Sequence, residues 1–102
     1  MLSVIAEIEV VDGKRGDFLA EFHSVVPLVL AEDGCVEYGP TVDAETDIPA
    51  QIPRRPNIVT IVEKWESLDH LKAHLVAPHM TEYRLRVKEF VVGSVLRILD
   101  AA

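Results

Sequence analysis

The stretch "NIVTIVEKW", from Asn57 to Trp65, decides how the chain folds. At period 2 one parity reads Val59, Ile61, Glu63, Trp65 and the other Ile58, Thr60, Val62. Both are largely apolar, and a strand apolar on two faces wants cover on two sides. The residues that follow supply one cover. Ser67 is placed to cap a helix, Asp69 brings negative charge to its first turn, and Leu68, Leu71 and Leu75 mark a buried stripe. On that wheel His70 and His74 fall opposite the leucines and read as surface residues. Pro78 opens a further helix expected to reach about Val91. Gly93 then breaks it, and "SVLRIL", 94–99, forms the last strand.

Toward the N-terminus, Leu2 to Val11 places Leu2, Val4, Ala6, Ile8 and Val10 on one fully apolar face of a strand. "DGKRGD", 12–17, turns into a helix that carries Phe18, Phe22, Val25, Val26 and Val29 at helical spacing. Pro27 removes a backbone donor there and is expected to kink or shorten the helix, with Gly34 as its stop. "CVEYGPTVD", 35–43, is a second strand in which Gly39 and Pro40 point to an edge or a bulge. "AETDIPAQIPRRP", 44–56, fits neither period, and a loop so long in a small domain is usually functional or mobile.

The order β, α, β, β, split α, β predicts an α+β, ferredoxin-like fold as one domain over 1–102: a four-stranded antiparallel sheet with helices on one face. Nothing in the chain covers the other face. A homodimer, sheet against sheet, is the expected solution.

Composition narrows the function classes. A formal net charge of -7, with no basic run longer than Arg54 and Arg55, repels a phosphate backbone and predicts neither a nucleic-acid nor an anionic-membrane partner. The single cysteine, Cys35, has no partner for an internal disulfide. The first residues lack the positive leader and apolar block of a signal peptide, and no stretch approaches the roughly 20 apolar residues of a membrane span. These features predict a soluble cytoplasmic domain.

On the last helix His79, Tyr83, Arg86 and Phe90 fall within one arc, beside an apolar arc of Met80, Val87 and Val91. Glu63 and Trp65 share a parity and look into the same interior if that face of the strand meets the helices. Such a pocket suits a small, flat, apolar ligand. Each residue also has a plainer reading, as core or as solvated surface. His70 and His74 sit four apart, a spacing that lets two imidazoles reach one ion, but Pro78 separates them from His79 and no cysteine pair or zincin acid accompanies them. There is no nucleophile elbow and no Gly-rich phosphate loop. The residues alone lead to a dimeric α+β domain with an aromatic pocket.

"EDGCVEY", 32–38, "VEKWESLDHLKAHL", 62–75, and "APHM", 77–80, resemble the antibiotic biosynthesis monooxygenase family of small dimeric α/β-barrel proteins, which includes quinol monooxygenases. The matching marks are Gly34, Cys35, Tyr38, Glu63, Trp65, Ser67, His74, Pro78 and His79. The resemblance implies a homodimer with a pocket between each sheet and its own helices. It also implies oxidation of a small aromatic quinol or phenol by O₂ with no metal, flavin or haem. In that scheme His79, or else His74, accepts the proton, Arg86 and Tyr83 hold the substrate oxygens, Trp65 stacks on the ring, and Glu63 and Phe90 complete the pocket. Two rival readings use the same pocket: a non-catalytic small-molecule-binding or stress-related dimer, and an isomerase of a small carbonyl metabolite. Haem-degrading relatives call for an asparagine on the first strand, and Asn57 lies outside it.

Overall fold

The computed structural model describes residues 1–102 as β1 (Leu2–Val10), α1 (Arg15–Leu30), β2 (Cys35–Thr41), β3 (Ile58–Trp65), α2 (Leu68–Leu75), α3 (Pro78–Val87) and β4 (Val91–Leu99). The strands form one antiparallel sheet in the order β2, β3, β1, β4. This is the ferredoxin-like order, with the first and third strands at the centre and the helices on one face.

β3 alternates as its sequence requires. Val59, Ile61, Glu63 and Trp65 are buried beneath the helices, while Ile58, Thr60, Val62 and Lys64 are half-buried on the opposite face. The inward residues join Val4, Ala6 and Val10 of β1 and Phe18, Phe22, Val25 and Val29 of α1 in a single core. β2 is an edge strand, and its bulge between Cys35 and Glu37 and its Pro40 are the features an edge tolerates.

Three expectations about the helices are corrected. α1 is not shortened by Pro27 and continues to Leu30. Pro27 and His23 lie on the exposed side, so the carbonyl that loses its donor is left to water. α3 ends at Val87, earlier than expected, because Val91 already pairs with Val10, and Gly93 lies inside β4 opposite Glu9. On α2 the leucine stripe does not face inward as a set: Leu68 and Leu75 are exposed, and the buried pair is Leu71 and His74. Ser67 does cap this helix, accepting from the His70 backbone N–H.

The turn between α1 and β2 is held by a close approach. Gly34 has φ +79°, and a Cβ there would run into the ring of His70. His70 is only half-exposed, and its Nδ1 lies 2.7 Å from Ser67 Oγ. Gly34→Ala is expected to destabilise the fold by about 2 kcal/mol, combining the left-handed backbone penalty with displacement of His70. Thermal unfolding should show a loss of roughly 10 °C.

The 44–56 loop is clamped at its base. Arg55 forks onto Asp43, with Nε to Oδ2 at 2.8 Å and Nη2 to Oδ1 at 3.1 Å, and reaches Glu7 Oε1 at 3.3 Å on the outward face of β1. The loop therefore tethers to the sheet face away from the helices.

Candidate active site

The site is assembled on the turn after α1. Glu32 follows the helix end and its backbone N–H donates to Val29 O at 2.9 Å, which points the side chain back between the helices. Its Oε2 lies 2.9 Å from Nδ1 of His74 on α2 and 2.8 Å from Nε2 of His79 in the first turn of α3. One carboxylate oxygen thus takes two ring N–H groups from two helices. His74 is 2% exposed. Its ring lies 4.7 Å from that of Trp65 and 5.4 Å from that of Tyr38. The expectation that His74 faces solvent is therefore overturned, because its partners hold it inside.

Beside His74, between the helices and the inner face of the sheet, is a cavity of about 270 Å³. Its wall includes Phe22, Tyr38, Glu63, His74, Met80 and Tyr83, with Arg84 and Leu96 at the mouth. A second cleft of about 430 Å³ adjoins it, sharing Ile8, Tyr83, Arg84 and Ser94, and extends along α3 toward Val91. No buried side-chain nitrogen or oxygen lacks a partner. Among the polar atoms of the wall residues that have no hydrogen-bond partner within the chain are the hydroxyls of Tyr38, Tyr83 and Ser94, Glu63 Oε2 and His74 Nε2. Each keeps some accessible surface, and as groups of the wall residues they are the hydrogen-bonding set available to whatever enters the cavity.

The electrostatics follow from burial. Loss of water lowers the His74 pKa below the ordinary imidazole value, opposed by the hydrogen bond and charge of Glu32. Burial raises Glu63 above the usual carboxylate range, although Trp65 Nε1–H donates to its Oε1 at 2.9 Å and offsets part of that shift; the charge of Glu32 adds to it. Both phenols are pushed up by burial, so Tyr38 and Tyr83 remain O–H donors at neutral pH. Burial and then the nearby Glu32 and Glu63 also raise the Cys35 thiol, which argues against a thiolate nucleophile there.

The residues expected from sequence divide accordingly. Glu63, His74 and Tyr83 meet at the cavity. Trp65 is fully buried but lies behind His74 and steadies Glu63, so no ligand in the cavity can stack on it. His79 is half-exposed and its Nε2 is engaged by Glu32. Arg86 is turned outward, with its Nε 2.8 Å from Glu21 Oε2 of α1. Its expected place at the cavity is taken by Arg84, whose Nη2–H donates to Leu75 O at 2.8 Å. Phe90 follows α3 and packs half-buried on the core, away from the cavity wall. Glu32 was absent from the sequence-derived candidates. Its sequence signal is its place at the head of the stretch 32–38, two residues before the turn glycine, Gly34.

Comparison with known proteins agrees with this fold. The family model described as antibiotic biosynthesis monooxygenase matches residues 1–86. The protein named probable quinol monooxygenase YgiN of Escherichia coli K12 is 43% identical over 102 residues, covering 98% of this chain and 97% of its own. Among solved structures, one described as antibiotic biosynthesis monooxygenase superposes with TM-score 0.82 at 20% identity, over 100% of this chain and 99% of its own. The Pseudomonas aeruginosa protein PA3566 gives TM-score 0.81 at 19% identity, over 99% and 93%. At those identities the structural likeness speaks for the fold alone. No helix is long and apolar enough to cross a membrane.

Proposed function

Since this chain belongs to the antibiotic biosynthesis monooxygenase family, we propose that it oxidises a small aromatic quinol or phenol with O₂, without a resident metal, flavin or haem. The observation that carries this reading is the His74 ring, whose unpartnered Nε2 belongs to the wall of a largely apolar slot that also holds the polar groups of Glu63, Arg84, Ser94 and two phenols. Here His74, rather than His79, is the base, because His79 Nε2 is occupied by Glu32 and His79 does not line the slot.

The substrate O–H proton passes to His74 Nε2. The anion left behind is electron-rich and delivers one electron to O₂. Superoxide and the aryloxyl radical combine at a ring carbon, and the hydroperoxide loses water, its leaving hydroxide recovering the proton from His74. A quinol plus O₂ gives a hydroxyquinone plus water, one oxygen atom going to each product. Tyr38 and Tyr83 donate to the anion, and the dry wall strengthens those bonds. Glu63 Oε2 accepts from a second hydroxyl.

A second copy covering the outer face of the sheet completes the reading. Ile5, Ile58 and Val62 lie half-buried there and Val95 is 59% exposed, an apolar set that a partner sheet would bury.

The test is oxygen uptake by chelator-treated protein against quinols, catechols and anthrones, with products read by mass spectrometry and molar mass by light scattering. The expected result is uptake without added cofactor, one ¹⁸O atom in the product from ¹⁸O₂, and a particle of twice the chain mass. A ligand that raises Tm with no oxygen consumed would favour the binding protein. Product formed anaerobically would favour the isomerase.

A further inference from the structure

We infer that Glu32 is a positioning residue: its carboxylate selects which ring nitrogen of His74 faces the cavity, and His79 holds that carboxylate in place. The inference rests on His74 acting at the cavity, as proposed above, but its structural core is separable from any particular reaction.

A carboxylate only accepts hydrogen bonds, so the 2.9 Å contact between Glu32 Oε2 and His74 Nδ1 requires a hydrogen on Nδ1. In the neutral ring, Nε2 then carries the lone pair, and Nε2 is the nitrogen left without a partner in the chain on a ring that lines the cavity. The other tautomer would direct a lone pair at the carboxylate and a hydrogen into the cavity, leaving the ring unable to take a proton there. The partner on one ring nitrogen therefore determines what the other can do.

His79 serves the carboxylate. The turn of 31–34 is short and fixes where Glu32 leaves the backbone, but its side chain still has rotamers. The second N–H, from His79 Nε2 at 2.8 Å, takes up the same oxygen and closes a bracket between α2 and α3. The groups around His74 are Glu32 from the turn, His79 and Arg84 from α3, Glu63 from β3 and Tyr38 from β2. Of these, Glu32 alone is hydrogen-bonded to the ring. When His74 takes a proton, the imidazolium gains an ionic partner at Nδ1 that is already in position, and no group has to move.

Two measurements on the intact protein test this. Long-range ¹H–¹⁵N spectra of ligand-free protein at pH 8 read the tautomer of His74 directly. The expected result is a protonated Nδ1 and a bare Nε2, with Glu32→Ala shifting the population toward Nε2–H. A wild-type ring protonated at Nε2, or one unchanged by Glu32→Ala, would overturn the inference whether or not any substrate turns over. Glu32→Gln keeps the shape and removes the charge, so it serves if the alanine variant does not fold. With a turned-over substrate, it should lower kcat by about 100-fold and move the acid limb of the pH profile to lower pH. A role confined to holding helices together would reduce Tm and leave that limb where it was. If the tautomer result holds while no quinol consumes oxygen, the proposed reaction fails and the positioning role of Glu32 stands.

Discussion

His74→Gln is expected to lower kcat for the oxidised substrate by about 10² to 10⁴-fold, the range for loss of a positioned general base. Glutamine can still donate to Glu32 Oε2 and fill most of the ring's space, so the fold should persist and circular dichroism should show it. His79→Ala should cost less than about tenfold, since that ring supports Glu32 from outside the cavity wall. Equal losses in the two variants would shift the base back to an undivided histidine pair, and intact turnover in both would remove the histidine base altogether.

The wild-type pH profile carries a sign. Burial holds the His74 pKa below that of a free imidazole, so the neutral, proton-accepting form persists below about pH 6.5 and the acid limb of kcat lies below that value. Stability is linked in the same direction. The unfolded chain binds a proton at His74 more readily than the native state, so this contribution is complete above the unfolded value and is lost as pH falls through the native one.

Trp65→Ala should be the most damaging change to stability, at about 3 to 5 kcal/mol, a large part of the total for a domain of this size. Trp65 is fully buried at the end of β3. Removing the indole leaves a void against His74 and deprives Glu63 Oε1 of its donor. Denaturant unfolding would measure the effect. Trp65→Phe separates the two parts, since it fills most of the void but cannot donate. A cost for Trp65→Phe near that of Trp65→Ala would place the weight on the hydrogen bond.

The sheet was readable in advance because a strand's period is 2 and β3 obeys it without exception, as does β1 over its buried positions. Short helices are less legible. α2 has two turns and touches the sheet along one line, so Leu71 and His74 take that line while Leu68 and Leu75 flank it. Hydrophobicity ranks a leucine above a histidine at each position, and it is the Glu32 partner that reverses the ranking. That partner is 42 residues away in sequence, where no periodicity points to it. The exchange of Arg86 for Arg84 has the same origin. Both leave α3 near the buried Tyr83, and only the placement of α1, with Glu21 beside one flank, determines which arginine is drawn outward.

The position of β1 bears on how the chain is made. This first strand pairs in the sheet with β3 and β4 alone, which begin at residues 58 and 91. During synthesis this apolar segment must therefore wait, unpaired, until residues beyond 58 have emerged, and its second edge stays open until those of β4, 91–99, appear. Folding of this domain is a late event governed by long-range closure, and the nascent chain exposes the segment a chaperone would hold.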